Sequence, residues 1–311
     1  MKIFYCADIH AAETTFRKFT NASKFYGVDM VIYGGDFTGK MVVPIIKDQR
    51  GRYKCTYYGS TVVLKNGSEL PDLEKTLREC GFYPVVFTEE EYDRLTESDA
   101  DRITREQQIK VMEAWIKLAD ARFRKNNIPC VFIPGNDDDF FIDPILEKTD
   151  FMINGDNKVV EVKGYEILSL SYGHPTVFKY PRDISEEELS KKIDDLAAQV
   201  KNMSKCIFNI HVPPYDTYCD QDVQYDENLN PILDGGELAT GPVGSKAVRQ
   251  AIDKYQPLLS LHGHTHGSRG VSKIGRTLAI NPGSDYDSGM LRGAIIEIDS
   301  GADVRYSLTS G

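Results

Sequence analysis

The chain has 311 residues, of which 41% are hydrophobic and 27% are charged, so it can bury a large core without disulfide bonds. This composition excludes a disordered, fibrous or membrane-spanning chain. Lysine and arginine number 37 against 47 aspartates and glutamates, a net charge of −10, which argues against binding nucleic acid or anionic membranes through the whole surface.

The first residues and the cysteines predict a cytoplasmic protein. The apolar stretch after Lys2 is only about five residues long, too short for a secretion signal, and no later segment approaches the roughly 18 apolar residues of a membrane helix. The six cysteines contain no Cys-x-x-Cys pair, so we expect reduced thiols.

Five short apolar runs predict the central strands. Each run is continuous rather than alternating, as buried strands are, and a polar cluster follows it at its carboxyl end. The runs are 3–7, 30–33, 130–133, 206–210 and 258–261.

Helical patterns separate most of these runs. We expect helices over 13–26, 102–126 and 185–202, and another that starts near Ser245 and ends before Pro257. Alternation of strands and helices predicts parallel strands with crossover connections, and ligands of such sheets collect at the carboxyl ends of the strands. The five polar clusters would then meet on one rim.

Other segments predict mixed sheets and an insertion. The stretches 158–171 and 277–308 have the pattern of adjacent strands, which favours antiparallel or mixed pairing and a second sheet. Roughly a hundred residues separate Asp36 from Asn136, far more than one crossover helix needs, so we expect an insertion or cap at 40–128.

The charge of this predicted insertion has two interpretations. Residues 52–64 have the pattern of a hairpin, and 39–66 carries six basic residues against one acidic residue, whereas 69–101 carries eleven acidic residues against three basic ones. In one interpretation, the two halves neutralise each other's charge across solvated faces. In the other, the basic hairpin overhangs the rim and attracts an anionic substrate through Arg50 and Arg52.

Histidine usage points to metal binding at the rim. Four of the six histidines fall in the polar clusters with two aspartates and an asparagine, and seven such residues would be costly to bury without cations. Carboxylate, amide and imidazole ligands without a thiolate suit Mn²⁺, Fe²⁺/Fe³⁺ or Zn²⁺, and one carboxylate such as Asp36 can bridge two cations about 3.5–4 Å apart. The seven residues are Asp8, His10, Asp36, Asn136, His211, His264 and His266.

In this order the motifs resemble those of the calcineurin-like metallophosphoesterase superfamily. They are Asp8-x-His10, Gly35-Asp36, Gly135-Asn136-Asp137-Asp138, His211 and Gly263-His264-x-His266. The resemblance spans most of the chain and leaves the insertion outside it. It implies an α/β fold, a four-layer sandwich of two mixed β-sheets flanked by helices, forming a single domain over 1–311 with an inserted cap region at 40–128.

The resemblance also implies a binuclear centre with two divalent metal ions. It predicts an enzyme, a metal-dependent phosphoesterase in which a metal-bridging hydroxide hydrolyses a phosphoester bond. The implied ligands of one ion are Asp8, His10 and His266, those of the other are Asn136, His211 and His264, and the implied bridge is Asp36.

Asp137 departs from the superfamily's usual pattern. That position usually holds a histidine that contacts the phosphate and protonates the leaving group, so the general-acid role stays open here. The change shifts the expectation from phosphatase activity in general towards a phosphodiesterase, or towards substrates with good leaving groups. Asn136 and Asp137 are the predicted catalytic residues.

The expected partner is a small phosphorylated substrate. The acidic surface disfavours a nuclease acting on long polymers, although the basic hairpin leaves nucleic acid open, and no membrane partner is expected. The alternative function is a non-catalytic binding or scaffold module that keeps the fold and recruits a protein partner. The altered Asp137 favours this alternative, and the complete ligand set opposes it.

Further polar residues near the motifs have two interpretations each. We expect His262 to be packed at its strand end. His174 would either be a loop residue or line the pocket. Asp138 and Asp139 would either orient a ligating histidine or cap the chain that follows. Tyr215 would either pack in its proline-stiffened loop or contact the substrate.

Overall fold

The computed structural model describes residues 1–299 and 303–311, which form four layers. Two six-stranded mixed sheets pack face to face, and helices cover both outer faces. The apolar runs of the sequence meet between the sheets, where Ile3, Ile207 and Leu261 are fully buried. The expected four-layer α/β sandwich is confirmed.

The first sheet combines strands from both ends of the chain. In sheet order its strands, numbered along the chain, are β20 (Val304–Ser310), β19 (Arg292–Ile298), β1 (Lys2–Cys6), β2 (Met30–Tyr33), β7 (Cys130–Phe132) and β8 (Ile153–Asn154). As predicted, β1, β2 and β7 are parallel, and they end on the same edge of the sheet. Three of the five polar clusters therefore lie next to one another.

The second sheet contributes the other two clusters. Its strands in sheet order are β17 (Gly270–Ile274), β18 (Thr277–Asn281), β16 (Leu259–Leu261), β11 (Cys206–Ile210), β10 (Tyr165–Leu170) and β9 (Lys158–Val162). The four inner strands are parallel, and the two edge strands pair antiparallel with them. The expected strands at 277–308 are divided between the sheets, because β18 lies here while β19 and β20 complete the first sheet.

Helices pack on the outer faces of both sheets. The bounds are α1 (Glu13–Tyr26), α2 (Leu70–Glu79), α3 (Glu89–Tyr92), α4 (Glu97–Asn126), α5 (Asp143–Leu146), α6 (Glu186–Ala197) and α7 (Lys246–Tyr255), with short 3₁₀ turns at Gly67–Glu69, Phe140–Ile142, Met203–Lys205 and Tyr286–Ser288. Phe16 of α1 stacks on Trp115 of α4 over the first sheet, and α6 and α7 cover the second. Among the described residues, no helix has the length and apolar character needed to cross a membrane.

The segment between β2 and β7 forms a small sheet with its own core. Its strands are β3 (Val42–Lys47), β4 (Tyr53–Tyr57), β5 (Ser60–Leu64) and β6 (Tyr83–Thr88), so the hairpin expected at 52–64 is confirmed. Ile45 and Leu77 pack in this separate core, whereas Trp115 and Phe123 of α4 belong to the main core. Only part of 40–128 stands apart from the sandwich, and its role as a cap stays a prediction.

The basic turn of this small sheet lies away from the rim. Strand β3 begins at Val42, shortly after the site residue Asp36. Its antiparallel pairing with β4 places the turn at 48–52 at the other end of the strand. Arg52 is paired with Asp48 at 2.6 Å. This position gives no support to a direct contact of Arg50 and Arg52 with a substrate at the rim.

Two short hairpins that the sequence did not predict precede α7. β12 (Gln221–Val223) pairs with β15 (Thr240–Pro242), and β13 (Leu233–Asp234) pairs with β14 (Glu237–Leu238).

Candidate metal centre

The ends of five core strands bring all seven predicted ligands to one rim. Loops after β1, β2 and β7 in the first sheet supply the first four, and loops after β11 and β16 in the second sheet supply the three histidines beyond position 200. Since the two sheets pack face to face, their carboxyl ends meet across the central core. The predicted convergence is therefore what the fold produces.

One group of ligand atoms is compact. Asp8, His10, Asp36 and His266 each offer an atom, and these atoms lie within 4.8 Å of one another. His10 Nε2 is 3.0 Å from His266 Nε2 and 3.5 Å from Asp36 Oδ2. Three of the four residues are buried and His266 is half-buried. This is the spacing of side chains that share one cation.

A second group adjoins the first through Asp36. His211 Nε2 lies 3.4 Å from Asp36 Oδ2, and His264 Nδ1 lies 3.0 Å from Asn136 Oδ1. Asp36 Oδ2 is thus close to a histidine of each group, which is the position the predicted bridge requires. The assignment of individual ligands to two ions stays a prediction.

Two buried atoms of the predicted ligands make no hydrogen bond to another described residue. Asp8 Oδ2 and His211 Nε2 are inaccessible to solvent and make no hydrogen bond. Burying such atoms unpaired is costly, whereas a divalent cation satisfies a carboxylate oxygen and an imidazole nitrogen together. The residues therefore fit divalent metal ions of the kind that the sequence motifs predict.

The electrostatics of the histidines agree with this fit. Burial lowers the pKa of His10, of His264 and of His266, the last to about 4, so these rings are neutral and keep the lone pair that a cation needs. Burial also acts to lower the pKa of His211, but the Asp36 and Asp8 carboxylates outweigh it and raise that pKa to about 10. The positive charge of protonated His211 balances the same carboxylates that a bound metal cation would balance.

Neighbouring groups orient the ligands. His10 Nδ1 is 3.1 Å from the carbonyl of Thr38, and because a carbonyl only accepts, this nitrogen carries the hydrogen and leaves Nε2 facing the site. Asn136 Nδ2 donates to Asp183 at 2.7 Å, which turns its amide oxygen towards His264.

Several ligands occupy strained backbone conformations. Asp8, His10, Asp36 and His264 have φ of 57°, 43°, 59° and 66°, the left-handed region that non-glycine residues seldom adopt. Such strain persists only where the surrounding structure imposes it, and it clusters at functional sites. A side chain at Gly135 would place its Cβ 2.0 Å from Asp36 Oδ1, so the motif requires glycine there for close packing.

The remaining sequence candidates have structural roles outside direct ligation. Asp138 accepts hydrogen bonds from the backbone of Phe37, Thr38 and Gly135 and so joins two motif loops instead of orienting a histidine. Asp139 caps the 3₁₀ turn that follows, by accepting from the amide of Phe141.

The two other histidines differ in their surroundings. His262 is fully buried and bonded to Ser260 and to the carbonyl of Ile210, which confirms the packed strand-end prediction. His174 is half-buried in a loop, with its ring centroid 6.4 Å from that of His264. Tyr215 lies under the ammonium of Lys246, at 5.4 Å.

Sequence reasoning did not identify Lys40 as a positively charged residue of the site. Lys40 Nζ forms an ion pair with Asp137 Oδ2 at 3.3 Å and lies 5.4 Å from the centre of the Tyr180 ring. Partial burial acts to lower the pKa of Lys40, but Asp137 foremost among its neighbours outweighs this and raises it, so Lys40 stays charged. Its place in a basic stretch was visible in the sequence, but nothing there distinguished it from the other five.

Burial and Asp36 raise the pKa of Asp137 to about 7, and Lys40 opposes this shift. The carboxylate is also 3.8 Å from His10 Nδ1. Asp137 therefore lies between His10, one of the predicted ligands, and Lys40, at the edge of the candidate metal centre.

Arg182 is a second residue that sequence reasoning missed. It is 1% exposed, donates to the carbonyl of Asp138 at 2.6 Å and forms an ion pair with Asp143. This buried guanidinium braces the loop that carries Asn136 and Asp137.

A cleft of about 720 Å³ opens beside the ligands. Its lining includes Asp36, Lys40, His264 and His266, here called its floor, and residues of the segments 176–180 and 222–232, here called its wall. The site thus combines a buried polar rim with an accessible cavity for a substrate.

Comparison with solved structures identifies the class of fold. The crystal structure of TT1561 from Thermus thermophilus aligns over 98% of this chain and 97% of its own, with a TM-score of 0.54 and 12% identity. Another crystal structure aligns over 98% of both chains with a TM-score of 0.56 and 12% identity. The chain therefore shares the overall fold of these two proteins. A structure described as a novel archaeal phosphodiesterase aligns with a TM-score of 0.37 and 13% identity, too low to establish a shared fold.

Sequence comparison identifies the family. No family model matches the chain. The uncharacterized protein MJ1162 of Methanocaldococcus jannaschii is 30% identical over 176 residues, which are 56% of this chain and 70% of that protein. The chain belongs to the same family as MJ1162.

Proposed function

We propose that this protein is a binuclear metal-dependent phosphoesterase, a hydrolase that acts on phosphodiesters in preference to monoesters. The observation that carries the proposal is the pair of buried ligand groups that meet at Asp36, with Asp8 Oδ2 and His211 Nε2 left for cations. A hydrophobic core alone gives no reason to collect these atoms at an open cleft.

The residues around Asp36 would hold two divalent ions. Bound there, Mn²⁺, Fe²⁺/Fe³⁺ or Zn²⁺ would supply Lewis-acid chemistry, activating water and neutralising charge on the phosphate. Asp36 fixes the spacing between the two groups. Asn136 contributes an uncharged oxygen, which limits the negative charge that faces an anionic substrate.

Lys40 and Asp137 determine which phosphate fits. Lys40 attracts a phosphate oxygen to the floor of the cleft, but Asp137 offsets part of its charge at 3.3 Å. A diester with one negative charge meets less repulsion from Asp137 than a monoester with two does. We therefore propose Asn136 and Asp137 as catalytic residues that face the phosphate, in an enzyme that favours diesters.

The substrate class and the cellular location complete the proposal. The cleft holds a small phosphorylated substrate, and the net charge of −10 disfavours a long nucleic acid. We propose that the protein works in the cytoplasm.

Hydrolysis assays test this function. Bis(p-nitrophenyl) phosphate and p-nitrophenyl phosphate are compared with Mn²⁺ added or chelated, using wild type and His264→Ala. Asp253→Asn near the end of α7 is the control, because Asp253 is exposed and does not line the cleft. We expect Mn²⁺-dependent turnover that favours the diester, is lost in His264→Ala and is kept in the control.

The opposite result has a defined meaning. Absence of turnover with either compound by metal-loaded wild type would favour the alternative, a non-catalytic binding or scaffold module. Turnover that survives chelation and His264→Ala would show that the metal centre is not the site of hydrolysis.

A further inference from the structure

The cleft is larger than a phosphate group requires. Its volume of about 720 Å³ lies within the range of about 300–1,000 Å³ that is typical of sites for small organic ligands. Only three of its sixteen lining residues, Asp36, His264 and His266, are predicted metal ligands. Most of the cavity is therefore available to one ester group of the substrate.

Aromatic side chains form one wall of this cavity. Phe178 stacks on Tyr180, with ring centroids 5.8 Å apart, and meets Tyr225 edge to face at 5.2 Å. Phe178 and Tyr225 remain 42% and 39% exposed, and both line the cleft. Exposed rings in a concave site offer faces on which a planar ligand ring stacks.

The rings lead away from the metal ligands in order. Tyr180 has its ring centroid 6.4 Å from that of His264, and Phe178 in turn contacts Tyr180. A ring bonded directly to a phosphate at the rim would meet Tyr180. A ring that reaches Phe178 and Tyr225 needs a spacer between it and the phosphate.

Polar side chains occur along the same cavity. Thr176, Asp222 and Gln224 line it together with the rings. Their hydroxyl, carboxylate and amide groups supply both donors and acceptors, which suit sugar hydroxyls and the edge of a heterocyclic base.

We propose that Phe178 and Tyr225 form a subsite for the base of a nucleoside whose 5′-phosphoryl group lies at the rim near Lys40. The ligand class is thus a nucleotide ester, in which a pentose is the spacer and a planar base is the ring. The proposal rests on the proposed function in one respect, because it places the phosphoryl group at the metal centre. Phe178 and Tyr225 determine specificity and take no part in the chemistry.

Calorimetric binding to Mn²⁺-loaded protein tests the subsite without relying on turnover. The two probes are AMP and ribose 5-phosphate, which share the phosphate and the sugar and differ by the base. Wild type is compared with Phe178→Ala, Tyr225→Ala and the ring-preserving Phe178→Tyr. Tyr218→Ala is the matched control, because Tyr218 is 76% exposed and lines a different surface cleft.

We expect wild type, Phe178→Tyr and Tyr218→Ala to bind AMP at least about tenfold more tightly than ribose 5-phosphate, the range that base stacking provides. Phe178→Ala and Tyr225→Ala should bring that ratio close to one. Equal affinities in wild type, including no detectable binding of either probe, or a ratio unchanged in Phe178→Ala, would overturn the subsite.

Phosphate release and diester turnover, measured on the same samples, separate the two proposals. Base-dependent binding without hydrolysis of any ester would defeat the proposed function and leave the subsite standing. Hydrolysis of bis(p-nitrophenyl) phosphate without base-dependent binding would defeat the subsite and leave the proposed function standing.

Discussion

The rim and the wall of the cleft are built on different principles. The rim takes Asp8 and Asp36 from the ends of core strands, holds them almost fully buried and forces both into left-handed backbone conformations. The wall takes Phe178 and Tyr225 from loops and leaves them about two-fifths exposed. The core therefore determines the position of the candidate metal ligands, whereas the wall lies on loops that can change without disturbing the core.

The largest expected effect comes from changing a rim carboxylate. Asp36→Asn keeps the shape of the side chain but removes the charge shared by both ligand groups, so hydrolysis of bis(p-nitrophenyl) phosphate should fall at least about a thousandfold. Asp222→Asn makes the same change on the wall and should cost less than about tenfold. Similar losses of hydrolysis in the two variants would show that the rim carboxylate is no more important for activity than the wall carboxylate.

Arg182→Met tests whether the rim depends on a buried brace. Removing the guanidinium leaves the Asp143 carboxylate and the carbonyl of Asp138 without their partner, so the free energy of unfolding should fall by about 3 kcal/mol. Arg249→Met on the surface of α7 should cost less than about 1 kcal/mol. Urea unfolding measures both free energies. Equal losses would show that Arg182 stabilises the protein no more than a surface arginine does.

Lys40→Met tests the charge on the cleft floor. Loss of the ammonium should raise KM for the diester by about tenfold, leave kcat within about threefold and weaken the dependence of kcat/KM on salt. Lys246→Met, outside the cleft over Tyr215, is the control. A change in kcat with KM constant would instead place Lys40 in the chemical step.

The smallest effect is expected in the inserted sheet. Joint replacement Arg50→Glu and Arg52→Glu reverses two charges at the turn of β3 and β4 that lies away from Val42. We expect kcat/KM and its salt dependence to stay within about twofold of wild type. A loss comparable to that of Lys40→Met would restore the hypothesis that the basic hairpin attracts the substrate.

The rim could be predicted because its signals are local. β2 and β11 begin and end where their apolar runs do, and each is followed at once by site residues, so chain order alone placed Asp36 and His211. Helix α4 begins at Glu97, earlier than the predicted start at 102. This start also had a local signal, because Thr96 and Asp99 form a capping box, but the surrounding acidic residues make the box hard to recognise.

The wall could not be predicted, because its signals are not local. Phe178 and Tyr225 meet across 47 positions of sequence, and Lys40 and Asp137 across 97. Neither contact leaves a periodic pattern, and Phe178, Tyr225 and Lys40 lie outside the motifs of the sequence. Such pairs are set by the packing of loops on a finished core.

Metal content of the purified protein, measured by mass spectrometry after equilibration with Mn²⁺ and removal of free ions, tests the central claim most directly. The account predicts two ions per chain in wild type, one in His10→Ala and one in His211→Ala, with loss of diester hydrolysis in both variants. A single ion in wild type that either variant abolishes, or wild-type protein that binds none, would contradict a binuclear centre that meets at Asp36.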